Sequence, residues 1–192
     1  MKLILGSSSK YRKDILEKAG YVFDILTQEV DEKAIVADDP YKRPLVLAHA
    51  KADVLINKVT EPALIITSDA VAVCNGKVRE KPESEKEARE FLQEYSSGVG
   101  PEGVTAIVVH NTITGERHEG VDRAQVFYNP FPDSVIEDFI KNGDPLGRAG
   151  GFGVQSRILR PYVRKIEGDE ESIVGMPTSL LKKLLTQAGY KS

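Results

Sequence analysis

Apolar and polar positions follow one another in short blocks whose spacing alternates between strand and helix. Leu3-Ile4-Leu5 breaks at Gly6 into Ser7-Ser8-Ser9, and Ile15, Leu16 and Ala19 then recur at helical spacing until Gly20. This predicts a buried strand turning sharply into an amphipathic helix. Tyr21 to Leu26 alternates as a second strand, and Leu45, Leu47, Ala48, Ala52, Leu55 and Ile56 mark a second helix after a loop bracketed by Pro40 and Pro44. Ala63 to Cys74 is the most hydrophobic stretch and predicts a central strand or a bent strand pair. Asn75-Gly76 is a type I′ turn signal returning through Lys77-Val78. Ser84 with Glu87 forms a capping box ahead of Ala88, Phe91, Leu92 and Tyr95. Two strands, Val104 to Val109 and Val121 to Tyr128, flank a Thr114-Gly115 turn, and Ser134 with Glu137 repeats the capping box before a helix that stops at Asn142-Gly143. Tyr162 to Ile166 reads as a strand and Asp169-Glu170-Glu171 as a solvated turn. Thr178 is expected to cap a last helix that turns Leu180, Leu181, Leu184, Leu185 and Ala188 inward and ends at Gly189. Helices and strands in alternation predict an α/β fold.

The turn after the first strand suits an anion. A helix N-terminus presents N–H groups without partners and the positive end of the helix dipole. Ser7, Ser8 and Ser9 add short hydroxyls, and Lys10, Arg12 and Lys13 add cations within one turn. Ser9 acting as an ordinary helix cap explains part of the same pattern. A P-loop is excluded because Tyr11 stands where its second glycine is required, and the dinucleotide fingerprint is excluded because Gly6 is the turn's single glycine.

Other polar residues stand against their surroundings. Asp69 lies inside the most apolar run, where a carboxylate must be paired, metal-bound or functional. Val30-Asp31-Glu32 places two carboxylates just past the second predicted strand. Lys81-Pro82 sits on a tight connection, and Gly147 to Gln155 carries glycines that either loosen a loop or let backbone approach a ligand closely. His49, His110 and His118 lack a ligand-like spacing, which argues against zinc.

Composition narrows the class. The 192 residues, 41% hydrophobic and 29% charged, suit a globular chain read as a single domain over 1–192. A formal net charge of −3 gives no overall attraction to a nucleic-acid polymer. One cysteine, Cys74, excludes an internal disulfide and predicts a core strand. The N-terminus lacks a secretory pattern and no apolar run reaches bilayer length, so a soluble, cytoplasmic protein without membrane contact is expected.

Taken together, several stretches resemble the Maf-like nucleoside triphosphate pyrophosphatases, a family also described as septum-formation proteins. They are Leu3 to Ser9 with Arg12, Val30-Asp31-Glu32, Leu47-Ala48-His49-Ala50-Lys51-Ala52, Ser68-Asp69-Ala70-Val71, Lys81-Pro82 with Glu87-Ala88, Gly150 to Gln155, and Ile173 to Pro177. Lys13 and Ala70 stand where members often carry Arg and Thr or Gln, and Ser97 to Thr105 departs from the usual pattern.

The resemblance implies a twisted mixed sheet flanked by helices, in two lobes with a central cleft, of the Maf/ITPase-like kind. It implies cleavage of a nucleoside triphosphate into nucleoside monophosphate and pyrophosphate. Catalysis would fall to Asp69, Lys81 and Glu32. Substrate contacts would come from Ser7, Ser8, Ser9, Arg12, Lys13, Lys51 and Gln155. Glu32 and Asp69 would hold magnesium or manganese, with cobalt as a third candidate. The Gly-Phe-Gly-Val-Gln stretch goes with members preferring UTP and dTTP, and a homodimer is expected. Two alternatives stay open: a preference for 7-methyl-GTP, or a non-catalytic nucleotide-binding regulator of cell division.

Overall fold

The computed structural model describes residues 1–191 except Lys33, Val36 and Asp38. Two compact units make up the chain. One comprises residues 1–69, 105–122 and 175–192, the other residues 70–104 and 123–174. Among the described residues the strands are β1 (Lys2–Leu5), β2 (Asp24–Ile25), β3 (Ala63–Cys74), β4 (Lys77–Arg79), β5 (Glu102–Asn111), β6 (Arg117–Tyr128) and β7 (Val163–Glu167). They are hydrogen-bonded in the order β2-β1-β3-β5-β6-β7, with β4 on β3. β1 runs parallel to β2 and β3, whereas β4 and β7 run antiparallel to their neighbours, so the predicted mixed α/β sheet is present.

In the first unit, α1 (Lys10–Lys18), α2 (Arg43–Ile56) and α6 (Thr178–Gln187) accompany the strands. Their buried faces carry Ile15 and Leu16, then Leu47, Ala48, Ala52 and Leu55, then Leu181, Leu184 and Leu185. Ala48 and Ala52 pack on Ala106 and Val108, and residues this small let α2 lie close to the sheet. Past the ends of α1 and α6, the rings of Tyr21 and Tyr190 meet with centroids 6.3 Å apart.

The second unit adds α3 (Glu85–Ser96), α4 (Asp133–Asn142) and the short α5 (Glu170–Val174). Its core joins Phe91, Tyr95, Tyr128, Phe131, Phe139 and Phe152, with Cys74 among them as a free, buried thiol. Burial pushes that thiol's pKa up to about 11, which keeps it protonated and unreactive at neutral pH.

Several local expectations change. The strand expected over Tyr21 to Leu26 shrinks to two exposed residues at the sheet edge, because a strand paired on one side has a single neighbour to extend it. Ser134 does not cap α4: the cap is Pro132, two residues earlier, and Glu137 pairs with Arg89 instead. Thr178 likewise becomes the first residue of α6, behind Pro177. The acidic segment at Asp169 forms the start of α5 rather than an open turn.

Candidate functional site

Parallel pairing of β1 with β3 sets Leu5 opposite Ile66, so the turn after β1 and the Thr67-Ser68-Asp69 segment of β3 lie side by side. The Gly6 N–H donates to the Ile66 carbonyl at 2.8 Å. A Cβ on Gly6 would sit 2.5 Å from Leu55 Cδ1 and 2.7 Å from Thr67 Cγ2, so a side chain there would require these neighbours to shift. Beyond it, Ser9 caps α1 by accepting from the Arg12 N–H, as expected from its position. Ser7 is buried and its Oγ accepts from the Ser9 N–H at 3.2 Å, while Ser8 is exposed.

Arg12 is fastened at three points. Its Nε donates to the Gly175 carbonyl at 3.0 Å, and its Nη1 donates to the Ser68 carbonyl at 2.8 Å and to Ser7 Oγ at 3.3 Å. Ser68 Oγ donates to the same Gly175 carbonyl at 3.1 Å. The guanidinium is therefore held in one orientation. Burial pulls its pKa down, opposed by the charges of Asp69 and Glu32. Lys13 is not part of this cluster. It is exposed and pairs with Glu17 one turn along α1, at 3.6 Å.

Thr67 Oγ1 donates to the Ala48 carbonyl at 2.7 Å and ties β3 to α2 one turn before Lys51. From there the Lys51 ammonium reaches Asp69 Oδ1 at 2.6 Å and Glu32 Oε1 at 2.7 Å. Asp69 is 7% exposed. Burial raises its carboxyl above the ordinary aspartate value; Lys51 and Arg12 pull it back, and Glu32 adds to the rise. His49, from the same helix, is held by Glu119 at 2.6 Å and Arg117 at 3.1 Å, a bonding pattern that suits a structural residue.

Two carboxylates converging on one cationic group form the all-oxygen donor set that suits a hard divalent ion. Among the described residues no cluster of three or more His, Cys, Asp or Glu side chains could hold a metal. Glu32 and Asp69 offer two of the oxygens that such an ion takes.

Lys81 and Gln155 belong to the second unit. Lys81 is exposed on the turn between β4 and α3, next to buried Pro82. That turn is bound to the glycine-rich stretch: the Gly150 N–H donates to the Glu80 carbonyl at 2.9 Å, and the Gly150 carbonyl accepts from the Tyr95 hydroxyl at 2.9 Å. Gly150 has φ +72, and a Cβ there would sit 2.7 Å from Ala72 Cβ, so both conformation and space require glycine. Phe152 packs edge-on to Tyr95 at 5.8 Å within the core. Gln155, three residues on, is exposed in a turn.

Sequence reading missed two parts of the cluster, the carbonyls of Ser68 and Gly175. Both residues lie in motifs that the sequence displays, but a backbone acceptor carries no residue-type signal.

Residues 2–188 match the family model described as Maf-like protein. The chain is 39% identical to a 7-methyl-GTP pyrophosphatase of Dictyostelium discoideum, over 96% of both chains. It is 36% identical to a dTTP/UTP pyrophosphatase of Alkaliphilus metalliredigens, over 96% of this chain and 94% of the other. A solved nucleoside-triphosphatase/dITP/XTP pyrophosphatase from Mycobacterium abscessus covers 100% of both chains at 11% identity with a TM-score of 0.46, too distant to bear on function.

Proposed function

The chain belongs to the Maf-like protein family, and on that premise we propose that it is a nucleoside triphosphate pyrophosphatase, with residues 1–192 acting as one domain. The observation that carries this reading is the Lys51 ammonium held between Glu32 and Asp69 in the same unit as the anchored Arg12. It supplies positive charge for phosphates together with paired carboxylates for a cation and a water.

In this mechanism Arg12, Lys51 and Lys81 neutralise the triphosphate, with Ser7, Ser8 and Ser9 around the turn. Asp69, aided by Glu32, orients the water and takes its proton as the water oxygen bonds to phosphorus. The α–β anhydride breaks, releasing nucleoside monophosphate and pyrophosphate. A divalent ion held by Glu32 and Asp69, magnesium or manganese with cobalt as a third candidate, would lower the water's pKa and neutralise charge. The proposal extends to a cytoplasmic homodimer. Among the described residues no helix is long and apolar enough to cross a membrane.

Product analysis tests the reaction. Incubation with UTP should release pyrophosphate and UMP; orthophosphate with UDP would sink the assignment. Lys81→Ala should raise KM, lower kcat, or both, and unchanged kinetics would remove Lys81 from the site.

For the base we propose UTP, dTTP and 5-methyl-UTP as best substrates, read by the Gln155 carboxamide, which offers a donor and an acceptor to a pyrimidine edge. Lys13 and Ala70, in place of Arg and Thr, weaken the selectivity. Gln155→Ala should shrink the UTP-over-GTP ratio of kcat/KM. The second reading, 7-methyl-GTP, is favoured by the name of the 39%-identical relative. A kcat/KM for 7-methyl-GTP above that for UTP would establish it and leave the pyrophosphatase chemistry intact.

A further inference from the structure

We propose that Lys51 is an internal counter-ion that occupies the cation position between Glu32 and Asp69 in the free protein, so that a divalent ion binds there weakly until a triphosphate draws the ammonium away. The ammonium lies 2.6 Å from one carboxylate and 2.7 Å from the other, within the distances of direct charge-assisted hydrogen bonds. Its side chain is 17% exposed and that of Asp69 10%, so this contact is poorly screened by water. Because Lys51 is carried on α2, and α2 is tied to β3 by the Thr67–Ala48 bond, the ammonium is present at high effective concentration.

A divalent ion entering alone must shed water and also break both contacts, leaving the ammonium without a partner. With a triphosphate present, the phosphate oxygens give Lys51 new acceptors and complete the ligand shell that two carboxylates cannot fill. Metal and nucleotide would then enter together, and the free protein would be guarded against stray cations. The part played by the triphosphate rests on the pyrophosphatase reading; the exclusion of metal from the free protein does not.

The test is Mn2+ binding to the protein without nucleotide, followed by the paramagnetic resonance signal of free Mn2+. Lys51→Met keeps the length of the stem and removes the charge, and it should bind Mn2+ at least about tenfold more tightly than the native chain, since an adjacent unit charge is removed. Adding Asp69→Asn to that variant should abolish the gain. Circular dichroism confirms folding, and Lys51→Gln replaces Lys51→Met if the latter fails to fold. Unchanged or weaker affinity in the folded variant overturns the proposal, as does a gain that survives Asp69→Asn. Because this readout needs no turnover, a native protein that releases no pyrophosphate would remove the enzymatic reading while leaving the Mn2+ result to stand or fall alone.

Discussion

Asp69→Asn is expected to reduce kcat for pyrophosphate release by about 10³-fold, the scale of a lost general base, while nucleotide affinity changes far less. Asparagine keeps the shape and one oxygen acceptor for Lys51, so the fold of β3 and the ammonium's position have a substitute contact. What disappears is the negative charge, and with it the capacity to hold a cation and to accept a proton. Equilibrium binding of a non-hydrolysable triphosphate, set beside kcat, separates the two effects. An Asp69→Asn protein that turns over at the native rate would eliminate Asp69 as the base. The pH profile offers a second check. Burial raises the Asp69 carboxyl above its ordinary value, so its proton leaves at higher pH than from an exposed aspartate. In the native enzyme the acid limb of kcat/KM should therefore lie above that of an ordinary exposed aspartate and should vanish in the residual activity of Asp69→Asn.

Arg12→Ala should raise KM for the triphosphate about 100-fold and lower stability by about 1–3 kcal/mol, the cost of leaving buried acceptors unsatisfied. Both effects come from one fork. The guanidinium supplies charge to the turn, and it also satisfies the carbonyls of Ser68 and Gly175. Arg12→Lys tells them apart, because a lysine restores the charge but cannot reproduce donors at two fixed angles. We expect Lys to recover part of the affinity and little of the thermal stability. Thermal unfolding and initial rates, measured on both variants, check this. If Arg12→Ala unfolds at the native temperature, the anchoring contacts contribute nothing to stability.

Interactions closed within a few residues were readable in the chain. Ser9 caps α1, and Ser84 accepts from the Glu87 N–H at 3.2 Å, because a short side chain next to a helix start has few other partners. The α/β class followed from periodicity, and Asp69 stood out because an ionisable group inside an apolar strand carries a desolvation cost. The Arg12–Gly175 bond spans 163 positions, and no local pattern encodes it. Nor could spacing reveal that Glu32 and Asp69 share one ammonium, since this depends on where α2 packs. Ser134 misled for a related reason: Arg89 claims Glu137, and Pro132 starts the helix earlier.

The contact between Tyr21 and Tyr190 has an optical consequence. The chain has seven tyrosines and no tryptophan, so its intrinsic emission is that of phenol rings alone, unmasked by indole. Tyr190 follows α6 and its N–H is bound to the Leu185 carbonyl at 2.9 Å, so its ring stays beside Tyr21 only while the end of that helix remains docked. Ring-to-ring energy transfer falls steeply with distance, and emission anisotropy compared with a Tyr190→Phe variant would therefore report fraying of the last helix without any attached dye.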